Sequence, residues 1–312
     1  MQEGIVMGKN KARTVQKNAQ KRAVKKSVRK AVKRVAKGQL IDFLRKQAGQ
    51  PSPKTDGNED GSLSLDSLTM IAECDGVGAC CLNRPLFVEP SDVFRIINNE
   101  RAKKKFNLSS TIDLYPTDDK VKPMVHFVHK ELKIPFCGIR RVPVEGSEDQ
   151  ACPFLEISGE KMECILGDDR LTQCKADPIS RIKRQANNRR LVGWGYGVID
   201  SVCIGCKSHK GIVKKVKVQD WLVEKGMDNR IVETDMFMGF IEWVKGKATS
   251  EHHLGIATLM LFNWHRFLID ALGEKEAIDK SPTSFQEVLF IARAVMESAI
   301  KSEEEDKKKE AE

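Results

Sequence analysis

No stretch of this sequence stays apolar for the roughly 18 to 20 residues needed to span a bilayer. The best candidate, Leu254 to Leu272, is interrupted by Asn263, His265, Arg266 and Asp270, so a soluble chain without a membrane span is expected. The N-terminus MQEGIVMGKNKARTVQ lacks the apolar stretch and small-residue cleavage site of a secretory signal. A reducing cytoplasm is therefore the expected compartment. Contiguous serine-nucleophile, zinc-protease and kinase motifs are missing, as is a cofactor loop after a long parallel strand, and no internal repeat is found. Aromatic residues make up only 6% of the chain, and Phe43 is the only one among residues 1 to 47.

What remains is informative. At 312 residues the chain can bury a core without covalent staples, and nine cysteines are too sparse for a miniature disulfide scaffold. In a reducing compartment clustered cysteines are read as thiolates for metal binding before they are read as disulfides. The net charge of +9 is unevenly spread: residues 1–47 carry 15 Lys/Arg against Glu3 and Asp42. The excess belongs to an arm.

Within that arm Val15, Ala19, Val24, Val28, Ala31, Val35, Leu40 and Leu44 recur mostly three to five residues apart among lysines and arginines. This spacing predicts a long, basic, weakly amphipathic helix over 1–49. With few acids and one aromatic it suits contact with phosphates, so nucleic acid is the expected partner through electrostatics, not base stacking. A solvated extension without a specific partner, or a contact with another protein, are the competing readings. An apolar stripe of Ala and Val lacks the Trp and Phe that anchor interfacial helices.

Residues 50–62 have linker composition, apolar-free and rich in Pro, Gly and acids. Residues 63–229 contain all nine cysteines and read as short mixed elements: a helix after Ser91, a hairpin around Ser158 to Lys161, a strand at Val216–Val218, and a helix from Gln219 stopping at Gly226. Residues 230–300 read as helices. Met236, Phe237, Phe240, Ile241 and Val244 mark one; Ile256 to Leu272 is apolar on nearly every face and reads as a buried one. A third begins at the capping box Ser284 to Glu287, and 301–312 form a charged, frayed tail. The expected fold is thus α+β, predominantly helical: a small, irregular, metal-stapled cysteine-cluster domain with a C-terminal helical segment and a basic N-terminal helix.

The cysteines fall into groups. Cys74, Cys80 and Cys81 surround Gly76 and Gly78, which let the backbone turn tightly enough for thiolates to converge. Cys152, Cys164 and Cys174 follow, and Cys203 and Cys206 have the two-residue gap common among ligands to a tetrahedral metal. Cys137, beside apolar residues, reads as a small core residue. The candidate ligands are therefore Cys74, Cys80, Cys81, Cys152, Cys164, Cys174, Cys203 and Cys206, with a zinc ion or an iron–sulfur cluster as the cofactor.

These motifs resemble a family of cysteine-cluster proteins described as zinc- or iron-chelating, whose relatives include flagellin lysine-N-methylases. The family opens with C-x-x-C-x-x-C-C; Cys74, Cys80 and Cys81 match its first, third and fourth cysteines, and Val77 stands at the second. The acidic residue that the family places in the next short helix is matched by Asp92. Its C-x-F-L, further cysteine and R-P-x-x-C-R segments resemble Cys152-Pro-Phe154-Leu155, Cys164 and Arg170 to Cys174, with Leu171 and Lys175 departing from the pattern. The family's last cysteine corresponds to Cys203, and Cys206 stands as a replacement for the ligand missing at Val77. The resemblance implies a metal-binding protein and, as an alternative, a protein-lysine N-methyltransferase.

Weaker signals have plainer readings. His126 and His129 would share one face of a helix, but no third ligand of matching type lies nearby, so the pair is read as structural. His252 and His253 read as surface residues. Gly193-Trp-Gly-Tyr-Gly197 lacks the Lys-Ser/Thr of a P-loop and reads as a turn.

Overall fold

The computed structural model describes residues 22, 26, 29, 69–71, 81–83, 85–115, 122–128, 135–158, 161–177, 179–185, 191–198, 215–247, 251–279 and 281–311. The linker 50–62 and most of the basic arm lie outside them; Arg22, Lys26 and Arg29, the described arm residues, are helical. The chain divides into two compact units. A cysteine-bearing unit comprises Ala48–Val128 and Phe136–Asp235, and a helical unit comprises Met1–Gln47, His129–Pro135 and Met236–Glu312. The described residues are mostly helical, with small sheets between. No helix among them is long and apolar enough to cross a membrane.

In the cysteine-bearing unit the strands are short and antiparallel. β1 (Thr69–Ile71) pairs with β11 (Lys215–Lys217), and β2 (Phe87–Val88), β4 (Pro135–Ile139) and β3 (Met124–Val128) form a three-stranded sheet in that order. β5 (Val142–Pro143) pairs with β6 (Gln150–Ala151), β7 (Leu155–Ser158) with β8 (Lys161–Cys164), and β9 (Ile179–Gln185) with β10 (Leu191–Val198). The β7–β8 register, Ser158 opposite Lys161, places the predicted hairpin where its turn residues suggest. One expectation fails here. Gly193 to Gly197 lies inside β10, not in a turn, because its partner strand supplies the ladder bonds that glycine-rich backbone accepts. His126 lies in strand β3, not in a helix, and His129 lies outside the described residues.

Helix α1 (Pro90–Asn98) begins with Pro at its first position, where the missing amide hydrogen leaves no bond unmade, and with Asp92 Oδ2 accepting from the Glu89 amide at 3.1 Å. Its apolar side, Val93 and Ile96, is fully buried. Asn99 ends α1 and caps α2 (Glu100–Phe106) by accepting from the Ala102 amide at 3.0 Å. A 3-10 turn follows at Thr111–Leu114 and another at Gly167–Asp169. Helix α3 is Thr172–Ala176 and α4 is Val218–Glu224. The chain leaves α4 through Gly226 at φ +61°, a left-handed conformation that costs glycine little.

Helix α5 (Asp228–Lys247) carries the unit boundary between Asp235 and Met236. Beyond it the helical unit contains α6 (Glu251–Phe262), α7 (Trp264–Leu272), α8 (Glu274–Asp279) and α9 (Phe285–Ala311). Its core is aliphatic and aromatic: Phe237 meets Phe262 edge-on with ring centroids 6.2 Å apart, and Met260, Trp264, Leu268, Val288 and Val295 are fully buried. Arg293 lies over the Trp243 ring at 5.0 Å.

The helical unit also corrects three expectations. Ile256 to Leu272 is two helices, broken at Asn263, whose φ and ψ of −138° and 54° leave the helical region. Helix α9 runs unbroken to Ala311, so the charged stretch from Lys301 is helical, not frayed; Lys307 and Glu303 pair at 2.8 Å along it. His253 is buried, with Nε2 at 3.1 Å from Glu303 Oε2. A ring that bridges two packed helices is not the surface residue its neighbourhood suggested. The capping box holds with a shift: Ser284 Oγ accepts from the Glu287 amide at 3.2 Å, but the Glu287 carboxylate accepts from Thr283, not Ser284.

Candidate metal centre

Four of the eight candidate ligands, Cys81, Cys152, Cys164 and Cys174, lie among the described residues; Cys74, Cys80, Cys203 and Cys206 do not. The described four are placed by backbone pairing. Cys81 to Asn83 runs antiparallel to Gln150 to Cys152: the Cys152 amide donates to the Cys81 carbonyl at 2.8 Å, Leu82 bridges Ala151, and the Asn83 amide donates to the Gln150 carbonyl at 2.8 Å. Asn83 turns this segment at φ 53°, a conformation that asparagine tolerates better than most residues. Its Oδ1 returns a bond from the Gln150 amide at 2.8 Å.

Cys152 leads directly into β7, its carbonyl accepting from the Leu155 amide at 2.9 Å. Leu155 stands opposite Cys164 in the hairpin. Phe154, fully buried, meets Phe106 edge-on at 5.3 Å and fixes the approach of this turn to α2. Cys152 and Cys164 are close enough for charge on one thiol to disfavour charge on the other. Burial pushes the Cys152 thiol up to about 11, against the pull of the Phe154 amide and of the Arg141 and Lys105 charges.

Arg141 is the unusual neighbour. Its Nη1 donates to the Cys81 carbonyl at 2.5 Å, while Nε and Nη2 are buried and have no hydrogen-bond acceptor among the described residues. Buried guanidinium donors seldom remain unsatisfied, because each lost bond to water carries a desolvation penalty. The arrangement suits an anionic group beside the Cys81–Cys152 pairing. Among the described residues, however, no three His, Cys, Asp or Glu side chains converge as a ligand set.

Cys174 sits on α3, and the way α3 is held was not legible as a site in the sequence. Asp92 of α1, fully buried, accepts from the Thr172 amide at 2.9 Å and from Thr172 Oγ1 at 2.8 Å, so one helix caps the next from 80 residues away. Arg95 Nη1 donates to Asp92 Oδ1 at 3.0 Å and its Nη2 to Glu233 of α5. Thr234 donates to Glu89 at 2.6 Å, and buried Arg230 donates to the Asp168 and Arg170 carbonyls, which close the turn before α3. Burial raises the Glu233 carboxyl above its usual range although Arg95 pulls the other way, and burial lowers Arg230, helped by the Arg95 charge. Asp92 was marked only by the family resemblance; Arg95, Arg230 and Glu233 gave no signal, since single charges on short helices read as solvated faces.

Cys137 is fully buried in β4, with its sulfur 3.2 Å from the Tyr115 hydroxyl. Burial pushes its thiol up to about 12 despite that hydrogen bond. It is a core residue of the three-stranded sheet, as its apolar neighbours suggested. Comparison of the chain with family models, with curated proteins and with solved structures returned no match.

Proposed function

We propose that the chain is a metal-binding cysteine-cluster protein of the zinc- or iron-chelating kind its motifs resemble, holding a zinc ion or an iron–sulfur cluster through Cys74, Cys80, Cys81, Cys152, Cys164, Cys174, Cys203 and Cys206, and that it docks on nucleic acid through its basic arm. The observation that carries the metal reading is Arg141 beside Cys81 and Cys152. Four thiolates around a divalent ion leave a net charge of about −2, which buried guanidinium donors with no acceptor among the described residues would complement. When bound, zinc would staple the short strands and an iron–sulfur centre would in addition carry an electron.

The arm reading is supported by charge: 15 Lys/Arg against two acids in residues 1–47. Phosphate contacts by such a segment release condensed counterions, which makes binding fall steeply with salt. Elemental analysis of protein purified under reducing, anaerobic conditions tests the metal, with zinc or iron expected in stoichiometric amount; absence of both would overturn it. Deleting residues 1–47 is expected to abolish RNA or DNA binding while leaving metal content unchanged, and a truncated chain that binds equally well would overturn the second part.

A further inference from the structure

The acidic excess of the protein is localised. Residues 48–235 carry 28 Lys/Arg against 28 Asp/Glu, whereas residues 236–312 carry 10 against 14. The strongly basic arm therefore shares its compact unit with the one net-acidic segment of the chain. Arg22, Lys26 and Arg29 are helical and exposed. At about 100° per residue, spacings of four and three put these residues within roughly 60° of arc, a single basic stripe. Arg29 Nη2 donates to Glu276 Oε2 at 2.9 Å. Glu276 belongs to α8, where Glu274 and Asp279 are exposed acids.

We propose that the arm docks in cis on α8 through the Arg22, Lys26 and Arg29 stripe, with Arg29 and Glu276 as its latch, and that a polyanion competes with α8 for these same basic residues. The docking stands on the ion pair and the charge distribution; the competition rests in addition on the nucleic-acid reading of the arm. Both side chains of the latch are partly exposed, at 48% and 27%. Ion pairs of that kind are weak and screened by salt. A nucleic acid that engages several basic residues at once, with counterion release, can displace such a latch. Alpha helix α8 then acts as a built-in brake that removes weak or short polyanions from the arm and yields to long ones.

Two measurements on the full chain test this. In the first, a labelled single-stranded RNA of mixed sequence is titrated with the wild type and with the double variant Glu274→Lys and Glu276→Lys at low and at moderate salt. The variant is expected to bind about three- to tenfold tighter at low salt, with the difference shrinking as salt rises. Equal affinity would overturn the competition. In the second, trypsin cleavage after Arg22 or Lys26 is timed without nucleic acid. Glu276→Lys is expected to accelerate it, and the charge swap Arg29→Glu with Glu276→Lys to restore the wild-type rate. Unchanged cleavage in Glu276→Lys would overturn the docking itself. Absence of RNA binding in every form, with protection still lost in Glu276→Lys and restored by the swap, would overturn the competition and the nucleic-acid reading while upholding the docking.

Discussion

In the helical unit the side chains that meet are mostly apolar and recur at helical spacing: Phe237, Phe240, Ile241 and Val244 line one side of α5, and Val288, Ala292 and Val295 line α9. In the cysteine-bearing unit most strands have two to five residues, and the partners that fix them lie far apart in the chain, such as Asp92 with Thr172 and Arg95 with Glu233. The first unit is ordered by area removed from water, to which many residues contribute a little. The second has an apolar core as well, including Val88, Val93, Leu114 and Phe154, but adds a few buried polar contacts, each of which leaves an unpaired group behind when it is broken. A metal centre is most valuable in a region of the second kind.

The largest effect expected from this contrast is on removal of the proposed metal. Structural zinc contributes roughly 10 to 16 kcal/mol of apparent binding energy, comparable with the whole stability of a domain. Chelation should remove hydrogen-exchange protection from amides in Phe136–Asp235 and leave those in α6, α7 and α9 protected. Replacing Cys81, Cys152 or Cys203 by Ser should lower bound metal, whereas Cys137→Ser should not. Equal loss in both units would erase the distinction between them.

Next comes the buried charge. Asp92→Ala takes the acceptor from the Thr172 amide and hydroxyl and one of two carboxylate partners from Arg95, which keeps Glu233, and leaving such buried donors unsatisfied costs about 1 to 3 kcal/mol. Leu268→Ala, fully buried in α7, should cost about 2 to 5 kcal/mol through a cavity instead. Urea unfolding measures both, and the contrast sharpens if Asp92→Asn, which keeps the shape, recovers part of the loss while no polar replacement rescues Leu268. A cost below about 1 kcal/mol for Asp92→Ala would show that the network is not what holds α3.

Smaller again is the start of α9, where Ser284→Ala removes one cap and should cost about 1 kcal/mol. Helicity of the 285–311 segment, followed by circular dichroism on heating, checks it. The smallest effects are on pH dependence in the cysteine-bearing unit, where two carboxyls act in opposite directions. Burial raises Asp113, but hydrogen bonds from Ser109 and Ser110 outweigh it and hold the carboxyl below its ordinary 3.8. Its contribution is present above that value and is lost as pH falls through the lower folded one. Glu233 is held above its ordinary 4.5, so its contribution is greatest below 4.5 and is lost as pH rises through the higher folded value. Stability measured between pH 2 and 7 should lose part of its acid limb in Asp113→Asn and part of its decline towards neutrality in Glu233→Gln.

Element by element, legibility tracked how local the cause was. The Ser284 cap of α9, the α4 stop at Gly226 and the β7–β8 hairpin depend on residues within a few positions of one another, and each appears where its residues suggested. The break at Asn263 did not, because a segment apolar on all sides has no periodicity to interrupt. Gly193 to Gly197 looked like a turn and forms a strand, since pairing with β9 overrides weak intrinsic preference. His253 looked exposed beside His252 and is buried against Glu303, a partner 50 residues away.

The same division separates what each level determined for the protein as a whole. Amino-acid order alone established the basic arm, the helical character of the C-terminal third and the grouping of cysteines, because charge, helical period and ligand spacing are properties of neighbouring residues. Tertiary structure alone decided that the Cys81–Asn83 segment pairs with Gln150–Cys152 beside an Arg141 whose Nε and Nη2 have no acceptors among the described residues, that Asp92 caps the helix bearing Cys174, and that Arg29 meets Glu276. Those contacts join residues 60 to 247 positions apart, and at such separations the energy resides in burial and geometry, which no local pattern encodes.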